Sequence, residues 1–193
     1  MSLAQKISSS LSALLGLAGA WLMPVQTAMG ENAIICSDQK VYEKRRLAGD
    51  QTDNLCEVYK GKVVLVVNTA SKCAFTPQYD GLEKLYRDYS EKGLVVIGFP
   101  SNDFGNQEPG TEKTIQDFCR LTYGVEFPMY TKTVVKGEQA DPFYKALAAA
   151  SGQAPKWNFH KYLLSRDGRL VGSFSSFVKP QSDELVRAIE AAL

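Results

Sequence analysis

The sequence predicts an α/β fold in which a central mixed sheet is covered by helices on both faces. Residues 63–68 and 94–99 form two mostly apolar runs, the pattern of strands that are buried on both sides. A segment with apolar residues at helical spacing follows each run. Because a strand that is apolar on both faces must be covered on both, we expect helices above and below the sheet.

The first helix is predicted over residues 77–92 and ends at Gly93. The residues that follow the i, i+3, i+4, i+7 spacing of a helix packed on a sheet are Leu82, Leu85, Tyr86 and Tyr89. The second strand is closed by Pro100, and residues 101–110 are dense in turn formers. This segment is therefore predicted to be a loop.

Two further helices are predicted in the middle of the chain. Thr111 is the expected N-cap of one helix, with Glu112 in its first turn. The apolar stripe of that helix comprises Ile115, Phe118, Cys119 and Thr122. Asp141 as N-cap and Pro142 at the first helical position predict the next helix, which runs to Ala149.

The C-terminal part is predicted to be a hairpin followed by a helix. Residues 159–164 and 170–174 are typical of strands, and residues 166–169 between them are typical of a hairpin turn. Ser182 caps a last helix whose inward-facing residues are Leu185, Val186, Ile189 and Leu193. A strand–helix–strand half followed by an antiparallel hairpin and a helix is the thioredoxin-like layout.

Residues 1–30 resemble a secretory signal peptide. They contain Lys6, an apolar segment over residues 11–23 and small residues at positions 28–30 that are typical of a cleavage site. Residues 18–20 are a second possible cleavage site. The apolar segment is too short to span a bilayer. An uncleaved membrane anchor and a disordered tail remain alternatives.

The expected mature domain is residues 31–193, exported to the periplasm or the extracellular space, without stable membrane insertion after cleavage. The chain of 193 residues has 22 Lys and Arg against 21 Asp and Glu, a formal net charge of +1. No basic cluster follows one face, so we expect no nucleic-acid partner.

Export determines how the first two cysteines are interpreted. Cys36 and Cys56 precede the first core strand and are separated by a polar segment. In an oxidising compartment they are expected to form a disulfide, which would stabilise the domain by about 3 kcal/mol in the chain-entropy model. The alternative is two reduced, unrelated thiols.

Cys73 is the most informative residue, because it lies between the first buried strand and the first helix. The unpaired N–H groups and the dipole of a helix start favour the thiolate, which is the nucleophilic form. Thr76 occupies the position that a second cysteine would take in a C-x-x-C motif. The sequence therefore predicts peroxide chemistry at one cysteine before dithiol exchange.

Three segments resemble motifs of the glutathione peroxidases. They are V-N-T-A-S-K-C at residues 67–73, F-P-S-N-D-F-G-N-Q-E-P-G at residues 99–110 and W-N-F at residues 157–159. The likeness extends in the same order from about Gly61 to Leu193. It implies a thiol-dependent peroxidase that reduces hydrogen peroxide and organic hydroperoxides and protects against oxidative stress.

The resemblance also implies the catalytic residues. Cys73 would be the nucleophile and would become a sulfenic acid. Gln107, the Trp157 indole N–H and the Asn158 amide would donate hydrogen bonds around the sulfur and the departing oxygen. Strict strand alternation would send Trp157 and Asn158 to opposite faces, so we expect irregular backbone there. His160 is expected to be a structural or surface residue.

Cys119 lies in the helix after the second motif, where relatives that use thioredoxin often carry a resolving cysteine, but it is one residue before the usual position. A shift of one residue rotates a helical side chain by about 100°. The position of Cys119 in the apolar stripe equally fits a buried, inert thiol. Both interpretations stay open. The resemblance implies no metal and no resident cofactor, and a thiol reductant that is either glutathione or a thioredoxin-type donor.

The chain passes from residues 148–155 directly into Lys156 and Trp157, without the long insertion of tetrameric family members. By resemblance, this implies a monomer with an open site that admits bulky lipid hydroperoxides. Two residues depart from the common pattern of the second motif, Ser101 in place of a cysteine and Asp103 in place of a glutamine.

Two other functions are alternatives to the peroxidase. A thioredoxin-like thiol–disulfide oxidoreductase is disfavoured by Thr76. A non-catalytic periplasmic accessory module that keeps the fold is disfavoured by the presence of Cys73 and Gln107.

Overall fold

The computed structural model describes residues 33–37 and 40–193. The predicted signal peptide lies outside the described residues. The strands are β1 Glu43–Arg45, β2 Thr52–Asn54, β3 Val63–Thr69, β4 Leu94–Pro100, β5 Lys161–Leu164 and β6 Leu170–Phe174. The helices are α1 Leu55–Tyr59, α2 Gln78–Tyr89, α3 Glu112–Tyr123, α4 Pro142–Ser151 and α5 Asp183–Ala192.

The central sheet has the strand order β4-β3-β5-β6. Strand β3 pairs in parallel with β4, and β3–β5 and β5–β6 are antiparallel. The predicted α/β fold with a thioredoxin-like, mixed sheet is therefore confirmed. Every residue of β3 and β4 is buried, as expected for two strands with apolar side chains on both faces.

Successive side chains of the strands point to opposite faces of the sheet and pack into two cores, one on each side. On one side, Leu65 and Leu163 pack with side chains of α2, α3 and α5. On the other side, Val66 and Tyr162 pack with side chains of α1 and α4. The helices therefore cover both faces, and the residues after the end of β3 lie at the edge between these layers.

The predicted helix starts are confirmed by their caps. The Asp141 carboxylate accepts a hydrogen bond from the Phe143 N–H at 2.9 Å, and the Thr111 hydroxyl accepts one from the Thr114 N–H at 3.3 Å. These side chains satisfy backbone donors that a helix start leaves unpaired. The predicted stripe of α3 is wrong at Thr122, which is exposed.

Two predicted boundaries are also wrong. The first helix was predicted over residues 77–92 but spans Gln78–Tyr89, because turns follow at Lys92 and Gly93, where φ reaches 109°. Strand β5 was predicted to begin at Phe159 but begins at Lys161. Phe159 has φ 63°, in the left-handed region that a strand residue cannot adopt.

The β1–β2 hairpin and α1 were not predicted. The hairpin is held by Arg46 and Asp53, whose side chains form an ion pair at 2.5 Å, and by the Tyr130 hydroxyl, which donates to Asp53 at 2.8 Å. The structure joins Cys36 and Cys56 in a disulfide with an S–S distance of 2.09 Å. This bond ties the start of the described chain to α1.

Candidate active site

Cys73 lies in the turn between β3 and α2, with 8% of its surface exposed. Its N–H donates to the Thr76 hydroxyl at 2.9 Å, and that hydroxyl donates to the Ala70 carbonyl at 2.9 Å. The Thr76 N–H in turn donates to the Cys73 carbonyl at 3.0 Å. Thr76 is therefore a buried brace of the turn that carries Cys73, at the position where a dithiol enzyme would have its second cysteine.

The Cys73 sulfur accepts a hydrogen bond from the Phe75 N–H, at 3.4 Å. The sequence predicted N–H groups of the helix start in this role, but α2 begins only at Gln78. The donor is instead an amide of the preceding turn.

Gln107 and Asn158, which are far apart in sequence, are brought together. The Asn158 side-chain N–H donates to Gln107 Oε1 at 2.9 Å, and Asn158 is fully buried. The Lys72 N–H donates to the Gln107 carbonyl at 3.0 Å. Because Oε1 of Gln107 accepts from Asn158, the Gln107 amide keeps its own N–H groups for another acceptor. Lys72, the residue before Cys73, is thus hydrogen-bonded to the backbone of Gln107, one member of this pair.

The bend at residues 157–159 gives Trp157 and Asn158 different surroundings. Asn68 fixes the bend, because its side chain donates to the Trp157 carbonyl at 3.1 Å and its carbonyl accepts from the Phe159 N–H at 2.7 Å. Trp157 is 39% exposed and its ring centroid lies 5.7 Å from that of Phe104. The expectation of irregular backbone at this point is confirmed.

Both departures from the common second motif have structural contacts. The Asp103 carboxylate accepts from the Val135 N–H at 2.6 Å. The Ser101 hydroxyl is buried and accepts from the Asp103 N–H at 3.4 Å, while the Ser101 N–H donates to the Thr69 carbonyl at 2.9 Å. These bonds hold the loop of residues 101–110 against the end of β3, next to the turn of Cys73.

Lys161 was missed by the sequence prediction and is fully buried. Its ammonium group donates to Gln78 Oε1 at 2.7 Å, to the Phe159 carbonyl at 2.7 Å and to the Val178 carbonyl at 2.9 Å. Burial lowers the pKa of Lys161 to about 7. Lys161 therefore ties the first residue of α2, the bend after Asn158 and the segment before α5 to one point. The signal in the sequence is a lysine that opens an otherwise apolar strand.

Glu108 is a second buried ionisable residue that the sequence prediction missed. Neither of its carboxylate oxygens has a hydrogen-bond partner among residues 33–37 and 40–193. Burial raises the pKa of Glu108 to about 7. Its own N–H donates to the Asn102 side chain at 2.9 Å, which fixes it directly after Gln107.

Cys119 is a free thiol on α3, buried in the same core cluster as Cys73. Burial raises the pKa of Cys119 to about 11. His160 is a structural residue and not a surface one. Its ring contacts the Ser173 hydroxyl at 2.9 Å, and burial, with the charges of Lys161 and Lys156, lowers the pKa of His160 to about 4.

Across residues 33–37 and 40–193, no group of three His, Cys, Asp or Glu side chains converges as a metal-binding cluster would. Within the same described segments, no helix has the length and apolar character needed to cross a membrane.

A thioredoxin-like fold with a free cysteine in the turn after β3 is an arrangement suited to thiol-based oxidoreduction. The glutathione peroxidase family model matches residues 41–148, a span that includes Cys73, Gln107 and Cys119. Trp157 and Asn158 lie beyond that span. The chain belongs to the glutathione peroxidase family and is a thiol-dependent peroxidase, which confirms the resemblance of its motifs.

The relatives include a glutathione peroxidase-like peroxiredoxin, gpx1, of Schizosaccharomyces pombe. It is 50% identical over 138 residues, which cover 69% of this chain and 86% of the relative. A hydroperoxy fatty acid reductase, gpx1, of Synechocystis sp. is 46% identical over 145 residues, which cover 70% of this chain and 85% of the relative. The crystal structure of Trgpx in its apo form matches with a TM-score of 0.60 and 37% identity, covering 78% of this chain and 95% of that one.

Proposed function

We propose that Cys73 is the peroxidatic nucleophile of this thiol-dependent peroxidase. The observation that carries the proposal is the Cys73 sulfur itself, a free thiol that accepts the Phe75 N–H in a turn joined through Lys72 to the Gln107–Asn158 pair. The thiolate attacks one oxygen of the hydroperoxide and the O–O bond breaks. That oxygen stays on sulfur as a sulfenic acid, and the other leaves as hydroxide or alkoxide, which takes up the proton that the thiol released on ionising and becomes water or an alcohol.

Gln107 and Asn158 stabilise the charge that moves from sulfur to oxygen in this step. They are neutral hydrogen-bond donors, so they favour developing negative charge without needing to be deprotonated. Asn158 acts largely through Gln107, because its N–H is already given to Gln107 Oε1 and orients that amide. The resemblance of the W-N-F motif supports the Trp157 indole N–H as a further donor, and Trp157 is 39% exposed.

We further propose that Cys119 resolves the sulfenic acid. The Cys119 sulfur attacks Cys73 sulfur, the S–O bond breaks, water leaves and a disulfide forms. A thiol reductant, either a thioredoxin-type donor or glutathione, then supplies two electrons to reopen it. The location of both thiols in one core cluster supports this pairing, as does the word peroxiredoxin in the names of several relatives. Because Cys119 is buried, α3 must open locally before the two sulfurs can bond.

The protein is proposed to be exported, as a monomer, and to protect the periplasm or extracellular space from peroxides. The Cys36–Cys56 disulfide supports an oxidising compartment, because such bonds persist mainly outside the reducing cytosol. The predicted signal peptide of residues 1–30 supports the same location.

Replacing Cys73 by serine tests the proposal, with Cys119→Ser as the matched control. We expect Cys73→Ser to abolish peroxide consumption with every reductant, measured as steady-state turnover. Cys119→Ser should still consume one equivalent of peroxide but lose turnover with a thioredoxin system. Residual turnover in Cys73→Ser would refute the assignment of the nucleophile. Full thioredoxin-dependent turnover in Cys119→Ser would refute only the resolving role.

A further inference from the structure

Lys161 is a buried cation that takes no part in the chemistry proposed for Cys73. It is the first residue of β5 and is fully buried. Its ammonium group donates to three acceptors, which are the Gln78 side chain and the carbonyls of Phe159 and Val178. In the described part of the chain it forms no ion pair. Because burying a charge without a counter-charge costs stability, the position calls for an explanation beyond packing.

One of these acceptors holds the bend at residues 157–159. Phe159 has φ 63°, a conformation that a residue with a bulky side chain rarely adopts. Its N–H donates to the Asn68 carbonyl at 2.7 Å, and its carbonyl accepts from Lys161 Nζ at 2.7 Å. Such a conformation persists only where its surroundings fix it. Lys161 therefore supplies one of the two tethers of the bend.

The bend in turn sets the direction of the Asn158 side chain. Asn158 is fully buried, and its side-chain N–H donates to Gln107 Oε1 at 2.9 Å. Neighbouring side chains of a regular strand point to opposite faces, so extended backbone at Phe159 would turn Asn158 relative to β5. The hydrogen bond from Asn158 to Gln107 would then be lost. The orientation of the Gln107 amide therefore depends, through Asn158, on the tether from Lys161.

The same ammonium group also connects the bend to the segment of Cys73. Lys161 donates to Gln78 Oε1 at 2.7 Å, and Gln78 is the first residue of α2. The Gln78 N–H donates to the Phe75 carbonyl at 2.9 Å, and the Phe75 N–H donates to the Cys73 sulfur at 3.4 Å. Three hydrogen bonds therefore lead from Lys161 to the sulfur. Lys161 fixes the bend and the turn of Cys73 relative to each other.

We propose that Lys161 is a positioning residue for peroxide reduction, which holds the bend at residues 157–159 so that Asn158 orients the Gln107 amide toward the reaction at Cys73. The inference rests on the proposed roles of these three residues. Lys161 itself touches neither the peroxide nor the sulfur and acts through the bend. A small displacement of a group that stabilises the transition state is enough to slow the reaction.

The test is a double-mutant cycle on the rate of Cys73 oxidation by hydrogen peroxide, measured without reductant by rapid mixing and quenching. Lys161→Met should lower the second-order rate constant about tenfold, since the amide pair is still present but no longer held in place. In an Asn158→Ala background the same substitution should slow the reaction less than about twofold, because the side chain that Lys161 positions is gone. A residue that merely supports the fold would slow both backgrounds by the same factor.

Glu83→Met is the matched control. Glu83 is a second fully buried charged residue, and its carboxylate accepts from the Glu126 N–H at 2.8 Å and the Phe127 N–H at 3.4 Å. Its loss should lower the stability in urea but leave the rate of Cys73 oxidation within about twofold, because its partners lie outside the candidate site.

Lys161→Gln is a second variant, whose result decides the matter if Lys161→Met does not fold. Glutamine keeps an N–H donor on a side chain that is one bond shorter. It should slow the oxidation of Cys73 about threefold, and again only while Asn158 is present.

Three results would overturn the inference. An equal loss of rate with and without Asn158 would mean that Lys161 acts on the fold as a whole. A folded Lys161 variant that is less stable but oxidises at the wild-type rate would restrict the residue to stability. If Asn158→Ala alone is as fast as the wild type, the proposed role of the amide pair is wrong, and the route from Lys161 falls with it. Slow oxidation in Asn158→Ala with a normal rate in both Lys161 variants would overturn this inference alone.

Discussion

Replacing Asn158 by alanine should slow the oxidation of Cys73 by hydrogen peroxide about 10²- to 10³-fold, the usual cost of losing one fixed donor at a site of developing charge. The substitution removes the N–H that lies 2.9 Å from Gln107 Oε1. Without it, the Gln107 amide is free to rotate, and its N–H groups are no longer held in one direction. The expected rate loss corresponds to about 3–4 kcal/mol in the transition state.

The same substitution should cost far less in stability. It removes one hydrogen bond between neutral groups, worth about 1 kcal/mol. Gln107 is only partly buried, so water can replace the lost donor. The free energy of unfolding should therefore fall by about 1 kcal/mol, several-fold less than the kinetic effect. A large kinetic effect with a small stability effect is the signature of a residue that acts on the reaction.

The assay is stopped-flow oxidation under pseudo-first-order peroxide, with urea unfolding of the same preparations. Asn54→Ala is the matched control. Asn54 caps α1 by accepting the N–H groups of Cys56 and Glu57, so its loss should also cost about 1 kcal/mol but leave the rate unchanged. Asn158→Ala within about threefold of wild type would refute the reasoning. In addition, Gln107→Ala and the double variant should be equally slow, because residues that act as a unit are not additive.

Three further predictions concern buried groups. In the wild type, the folded-state pKa of Glu108, about 7, lies above its ordinary 4.5, so the free energy of unfolding should fall by up to about 3 kcal/mol as the pH rises from 4.5 to 8. Glu108→Gln removes this titration, so urea unfolding of the variant should lack the fall. Lys161→Met should lower the free energy of unfolding by about 3 kcal/mol, because one buried and two partly buried acceptors lose their donor; equal stability of the two proteins would contradict it. The double substitution Cys36→Ser and Cys56→Ser should lower the free energy of unfolding, measured in urea, by about 3 kcal/mol and leave the rate of Cys73 oxidation unchanged. A slower oxidation would show that the disulfide shapes the site.

The sheet and most helices could be predicted from sequence because their signals are local. The runs that became β3 and β4 are mostly apolar, and the caps Thr111, Asp141 and Ser182 mark three helix starts directly. The β1–β2 hairpin gives no such signal. Its strands are polar and only three residues long, and they are stabilised by the distant Tyr130. Tertiary contacts that override local pattern cannot be derived from a short polar segment.

Phe159 shows the same limit within the site. An aromatic residue before an apolar run is typical of a strand, so β5 was predicted to begin there. In the structure, the Phe159 N–H bonds to Asn68 and its carbonyl accepts from Lys161, and φ is 63°. These two tethers hold a conformation that its own preference disfavours. The bend that separates Trp157 from Asn158 depends on them.

The sequence motifs indicate which residues form the candidate site, and the structure shows how these residues are arranged. Resemblance pointed to Cys73, Gln107 and Asn158, but not to the hydrogen bond between the last two. The position of Lys161 in an apolar strand is visible in the sequence, but its three acceptors could not be predicted, because they come from segments that meet only in the folded chain. A lysine in a strand is ordinarily an exposed residue.

The most direct test of the account is the fate of Cys73 in the Cys119→Ser variant. There Cys73 is the remaining free thiol of the described chain, and no second cysteine can consume its sulfenic acid. One equivalent of hydrogen peroxide, followed by dimedone and peptide mass spectrometry, should label nearly all of Cys73. A folded protein whose Cys73 stays unlabelled, with the peroxide unconsumed, would contradict the account.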